Sequence, residues 1–258
     1  MGEGQTGDTE ERVVHWLASL ETRHRADLEF RELRHALQAL SSLYVERRER
    51  IGSGAAFDGA GKRAAFALYY GPLHFFLVRD IVRAVGAADP PPATIVDLGC
   101  GTAAAGAAWA LEAPGRPFVE GVDRSAWAAA EARLTLQALG LRGRVRHGDA
   151  LGRPLPDGRS AIVAAFTVNE LSLESRLRLL PDLLAAAKRG SRVLVVEPLA
   201  RRAIPWWSDW ARAFADAGGA EAEWRFPSRL PEGIAFLSKA AGLDPREAGG
   251  RSLYLPGY

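Results

Sequence analysis

The sequence holds a single cysteine, Cys100, in 258 residues. No intrachain disulfide can form, and no multi-cysteine metal centre can be built. That scarcity fits a reducing compartment. Lysine is nearly missing as well: Lys62, Lys188 and Lys239 are the only three among 33 basic residues. The rest are arginines spread along the chain, and the net charge is only +2. A concentrated basic footprint, the mark of a nucleic-acid binder, is absent. No window reaches the ~18 apolar residues that a membrane span needs. The greasiest stretch, 64–78, is interrupted by Gly71-Pro72 and His74. The opening residues MGEGQTGDTEER are polar and acidic, unlike the basic-then-apolar order of a secretory signal. The expectation is a cytoplasmic protein with no membrane partner and no metal; the sequence does not disclose an oligomeric state.

What is present is ordinary for a globular protein: 48% hydrophobic and 25% charged residues, in a chain long enough to bury a sizeable core. Residues 1–9 read as a disordered tail. Over 10–50 the pattern is helical, with Val13, Trp16, Leu17 and Leu20 on one apolar face and Leu33, Leu37 and Leu40 on another. Residues 51–61 read as a loop. Helix resumes over 62–85, with a kink or break at Gly71-Pro72 because proline lacks an N–H. The region 10–86 is therefore expected to be a helical cap.

Past the Pro90-Pro91-Pro92 linker, strand and helix alternate. Strands are predicted at 94–98, 118–122, 145–147, 161–166 and 192–196, with helices at 103–111, 126–139 and 177–188 between them. Such alternation requires crossover helices and implies a mostly parallel sheet covered on both faces. Further helices are expected at 204–217 and 234–241, and a final hairpin over 246–255 turning at Gly249-Gly250. The fold class is α/β: a Rossmann-like, doubly wound, seven-stranded sheet, mostly parallel with a C-terminal antiparallel hairpin, over 93–258.

The sharpest motif is Asp97-Leu98-Gly99-Cys100-Gly101-Thr102, at the end of a strand and the start of a helix. In an open α/β sheet, ligands bind beyond the carboxyl ends of the strands. The glycines let the backbone turn and approach a ligand, and the helix start offers free N–H groups. Asp123 ends the second strand, 22 residues after Gly101, where an acid can bind ribose hydroxyls. Asp149 follows the third strand, where it can accept from an adenine amino group. A nicotinamide dinucleotide also uses Gly-x-Gly and a downstream acid. Asp97, though, would repel a pyrophosphate and suits a cation.

These stretches, with Gly121-Val122-Asp123-Arg124-Ser125 and Gly148-Asp149-Ala150, resemble the class I S-adenosylmethionine (SAM)-dependent methyltransferase family. The resemblance implies that the loop from Gly99 to Thr102 cradles the amino-acid part of SAM, that Asp123 binds ribose, and that Asp149 and Ala150 frame the adenine. The expected cofactor-binding set is Asp97, Gly99, Cys100, Gly101, Thr102, Asp123, Arg124, Asp149, Ala150 and Phe166. Many members carry a third glycine where this chain has Ala103 and Ala104. Two further stretches, 62–72 and Val168-Asn169-Glu170-Leu171-Ser172 with Glu197-Pro198, resemble the small-ribosomal-subunit assembly methyltransferase-like family. That family typically carries several cysteines for a metal or iron–sulfur centre, which Cys100 alone cannot supply.

At the fourth-strand end, Asn169 could position a substrate through its amide and Glu170 could act as a base or steer a cation. Each could equally be a local loop or helix-start residue. Tyr69, Tyr70, His74 and Trp206 could line an acceptor pocket; the competing reading packs them, with Trp207 and Trp210, into the core. The expected function is methyl transfer from SAM to a small molecule. The alternatives are an rRNA methyltransferase or ribosome-assembly factor, which would gather Arg47, Arg48, Arg50, Lys62 and Arg63 beside the cleft, and a nicotinamide-dependent oxidoreductase.

Overall fold

Buried apolar residues alternate between two faces along the central strands, the period-two signature of a sheet covered on both sides. In β5 (Arg192–Glu197), Leu194 and Val196 face one core while Val193 and Val195 face the other. The computed structural model describes residues 3–26, 28–46, 57–151, 154–244 and 246–257. Arg47, Arg48 and Arg50 lie outside them.

Seven strands form one sheet in the order β3-β2-β1-β4-β5-β7-β6. The first five, β1 (Thr94–Leu98), β2 (Phe118–Asp123), β3 (Gly143–His147), β4 (Ser160–Ala165) and β5, run parallel. The last two, β6 (Ala220–Pro227) and β7 (Glu247–Leu255), are antiparallel to each other, and β7 is antiparallel to β5. The order reverses at β1, whose neighbours are β2 and β4, and such a switch point is where ligands bind in open α/β sheets. Registers Leu98↔Val122 and Asp123↔His147 bring the carboxyl ends of β1, β2 and β3 to one edge.

One core lies between the sheet and helices α1 (Glu3–Arg25), α2 (Phe30–Glu46), α4 (Gly71–Ala84), α5 (Ala104–Glu112) and α6 (Ala126–Ala138). Trp16, Leu37 and Leu40 of the N-terminal helices share it with Ile95 of β1, so the cap and the sheet bury a common interior. All nine residues of α5 are buried. Its alanines let α4 pack close, and Glu112 receives two hydrogen bonds from Arg83 at 2.6 and 2.7 Å. The opposite face carries α7 (Leu173–Lys188) and α8 (Trp207–Asp216).

Four expectations are corrected. The tail expected over 1–9 is helical from Glu3, fixed by ion pairs from Asp8 to Arg12 and to Arg116. No break occurs at Gly71-Pro72; α3 (Ala60–Ala65) runs into a π-helical turn at Phe66–Tyr70 and on into α4. The wider turn absorbs the proline without ending the helix. Gly249-Gly250 is no turn but the middle of β7, where a Cβ on Gly249 would lie 2.5 Å from Leu199 and one on Gly250 3.0 Å from Leu77. The partner of β7 is β6, reached through α9 (Glu232–Ala240). Finally, α7 begins four residues earlier than expected because Ser172 caps it, accepting from Ser175 N at 3.1 Å. Ser172→Ala should cost about 1 kcal/mol in urea denaturation.

Candidate active site

A cleft of about 470 Å³ opens at the carboxyl edge of β1, β2, β3 and β4. The whole cofactor-facing set from Asp97 to Phe166 lines it, so the three acids share one cavity. Glu170 and His74 line it as well. Asn169, Tyr69, Tyr70 and Trp206 do not. Asn169 N–H donates to the buried Glu197 at 3.0 Å, while its Oδ1 is buried without a partner among the described residues. Tyr69 is core, and Tyr70 packs on Tyr44 with ring centroids 5.0 Å apart. Trp206 joins the core on the opposite face of the sheet, stacked edge-on to Trp210 at 4.9 Å.

The loop after β1 is built by three left-handed residues, Gly99, Gly101 and Ala103, with φ of 63°, 52° and 61°. Ala103 takes the conformation that a third glycine would adopt at less cost, roughly 1–2 kcal/mol less. Thr167, which the sequence reading passed over, locks the loop to the end of β4: its hydroxyl lies 3.0 Å from Leu98 O and 3.1 Å from Gly99 O. It crosses Gly99 so closely that a Cβ there would stand 2.4 Å from the Thr167 methyl.

Asp97 is 1% exposed and accepts from Gly106 N at 2.8 Å, an approach open because Gly106 has no side chain. Burial pushes its carboxyl up to about 7; the Gly106 N–H pulls it down, and the charge of Asp123 pushes it further up. Asp123 accepts from Gly101 N at 2.8 Å and from Ser125 N at 2.7 Å, which ties the β1 loop to the start of α6. Burial raises its pKa as well, against those two hydrogen bonds. Asp149 is exposed at the rim and accepts from Leu151 N at 2.9 Å. Cys100 is a packed thiol whose pKa burial pushes far up, so it is no nucleophile at neutral pH.

The other wall is aromatic, and much of it was not foreseen. Tyr44, Phe57, Phe66 and Trp127 line the cleft beside His74 and Phe166. Phe57 packs on Phe66 at 4.9 Å and on Trp127 at 5.0 Å. His74 stacks flat on Phe166, centroids 3.8 Å apart at 14°. Phe166 holds a positive φ of 57°, an uncommon conformation for a bulky residue and one that clusters at functional sites. Tyr44, Phe66, His74 and Trp127 sit on helical segments where an apolar stripe is ordinarily core, so periodicity could not separate them from it.

Residues 95–190 match the family described as methyltransferase domain. The similarity to a methyltransferase domain covers that stretch of the chain. SAM is the cofactor of that family. Among solved structures, the fold is similar to the mitomycin 7-O-methyltransferase MmcR, with 19% identity and a TM-score of 0.51 over 83% of this chain and 59% of that one. This chain thus spans less than two thirds of that protein. It is also similar to a putative O-methyltransferase from Nostoc punctiforme PCC 73102, with 14% identity and a TM-score of 0.54 over 85% of this chain and 72% of that one. At such identities the likeness is one of fold. No curated protein matches the chain in sequence.

The residues of the cleft fit SAM on two observations. Thr102 Oγ is buried on the cleft wall without a hydrogen-bond partner among the described residues. Gly99 and Gly101 line the same wall with bare backbone. No helix among the described residues is long and apolar enough to cross a membrane.

Proposed function

We propose that this chain transfers a methyl group from SAM to a small molecule held between the carboxyl edge of the sheet and the N-terminal helices. The observation that carries the reading is the convergence of Asp97, Asp123 and Asp149, from three successive strand ends, on one cleft with the Gly99–Gly101 loop. SAM supplies an activated methyl on a sulfonium. Asp97 holds its ammonium group, and the Gly99–Thr102 loop with the start of α5 holds its carboxylate. Asp123 binds the ribose hydroxyls; Asp149 with Ala150 frames the adenine, and Arg124 and Phe166 complete the wall. The chain's contribution to rate is alignment of acceptor and methyl. Glu170, from the turn after β4, steers the acceptor, and Asn169 is the residue whose backbone fixes that turn on Glu197.

The charge of the cleft favours a small acceptor over a polyanion. Four carboxylates, Asp97, Asp123, Asp149 and Glu170, line it against two guanidinium groups, Arg63 and Arg124. An RNA phosphate backbone would be repelled there. We keep the cytoplasmic setting expected from the sequence as part of this proposal.

Calorimetry with SAM and with S-adenosylhomocysteine tests the reading; no binding by either up to millimolar concentration would end it. Asp123→Ala removes a charged acceptor worth roughly 1.5–3 kcal/mol per hydrogen bond at most. SAM affinity should fall about tenfold or more, and an unchanged affinity would take Asp123 out of the site.

A further inference from the structure

The acid side of the cleft is accounted for by the cofactor; the aromatic side, Phe166 apart, is not. Six rings line one cavity: Tyr44, Phe57, Phe66, His74, Trp127 and Phe166. They come from four separate parts of the fold: Tyr44 from α2, Phe57 to His74 from the segment around α3 and α4, Trp127 from α6, and Phe166 from the turn after β4. A single amphipathic stripe does not explain a wall assembled from so many elements. Its one nitrogen-bearing face toward β4 is His74, stacked on the strained Phe166. Burial holds this imidazole neutral, with a pKa down at about 3, and no hydrogen bond from a described neighbour contributes to that shift. A neutral imidazole keeps a nitrogen lone pair and can accept from an uncharged donor.

We propose that the methyl acceptor is a planar aromatic molecule bearing a hydroxyl, its ring lying against this wall and its hydroxyl donating to His74. The proposal rests on the methyltransferase reading and narrows it to a substrate class. An aromatic pair in offset or edge-on contact gains a quadrupole attraction beyond the area it buries, which a saturated ring cannot supply, and this selects the class. His74 beside Phe166 sets the hydroxyl at the edge of β4. There the O–CH3 bond forms as the S–CH3 bond breaks, leaving its electron pair on sulfur, and the hydroxyl proton goes to solvent water.

The test uses the full chain with saturating S-adenosylhomocysteine and two probes of equal skeleton, 2-naphthol and decahydro-2-naphthol, titrated by calorimetry. The aromatic probe should bind about tenfold more tightly than the saturated one. A third probe, naphthalene, isolates the hydroxyl. In wild type and in His74→Gln, which still offers a hydrogen-bond acceptor, 2-naphthol should bind several-fold more tightly than naphthalene; in His74→Phe that ratio should collapse toward one. Equal binding of the saturated alcohol would overturn the aromatic class, and an undiminished ratio in His74→Phe would overturn the role of His74. Failure of S-adenosylhomocysteine itself to bind would instead bring down the methyltransferase reading, so the two failures are distinguishable.

Discussion

Replacing Gly99 by alanine should abolish cofactor binding, lowering SAM affinity by more than about a hundredfold. Two separate costs act at this position. The backbone is left-handed, φ 63°, a conformation that costs an L-residue roughly 1–2 kcal/mol. The added Cβ would then meet Thr167 at 2.4 Å from Cγ2 and 2.6 Å from Oγ1. Thr167 cannot simply turn aside, because a β-branched side chain is stiff at χ1 and its hydroxyl already reaches the Leu98 and Gly99 carbonyls. Overpacking of this kind costs about 1–3 kcal/mol. Either the loop or the end of β4 must move, and both border the cofactor. The second cost can be separated from the first. In Gly99→Ala/Thr167→Ala the two closest contacts are removed and only Cβ of residue 167, at 3.1 Å, stays near, so about half of the stability lost in urea denaturation should return. A double variant no more stable than Gly99→Ala would show that the crossing of Thr167 over Gly99 is not what the glycine serves.

How much of this was open to a reader of the sequence depends on which link of the chain a feature lives on. The strands and the three acids were legible because buried parallel strands are short β-branched runs and because a strand end places its next residue at the sheet edge. Thr94–Leu98 and Phe118–Asp123 follow that rule, the edge strand Gly143–His147 only at Val145, and Asp97, Asp123 and Asp149 meet in the cleft. The strand Ala220–Pro227 escaped notice because it is an edge strand that alternates alanine and aromatic residues with glutamate and arginine. Its Glu221 and Glu223 are neutralised across the ladder by the buried Arg251, a pairing no local window contains.

Four of the six rings of the aromatic wall were invisible for a different reason. Tyr69 and Tyr70 are adjacent in sequence to a Gly-Pro step that suggests a broken helix with its aromatics gathered at the break. The helix instead widens by a π turn, which leaves Tyr69 in the core and puts Phe66 and His74 on the cleft. Trp206 was misplaced by layer: after β5 the chain passes to the side of the sheet occupied by α7 and α8, away from the N-terminal helices. Local pattern tells which residues are buried, while the turn geometry and the handedness of connections decide what they are buried against.

The pH dependence of SAM binding follows from Asp97. Its carboxyl is pushed up to about 7 in the free protein, so below that pH it is largely protonated. A bound ammonium group favours the ionised form, so binding at acidic pH must expel a proton. Affinity should therefore fall about tenfold for each unit below pH 7, reaching roughly a hundredfold at pH 5. Asp123, also raised by burial, acts in the same direction. Protein stability would be a poor readout, since two groups oppose each other. Asp97, with its raised folded pKa, contributes stability that is present below its unfolded value near 3.8 and lost as pH rises through 7. His74, with its folded pKa lowered to about 3, does the reverse, losing stability as pH falls below its unfolded value near 6.5. Between pH 4 and 6.5 these slopes offset each other, whereas SAM affinity has no such counterweight. Calorimetry at pH 5, 6, 7 and 8 in wild type and Asp97→Asn resolves the point. The wild-type affinity should rise steeply to pH 7 and level off, while the variant, weak throughout, should lose most of that slope. A variant with the full wild-type slope would assign the titration to some other group and remove Asp97 as the seat of the bound cation.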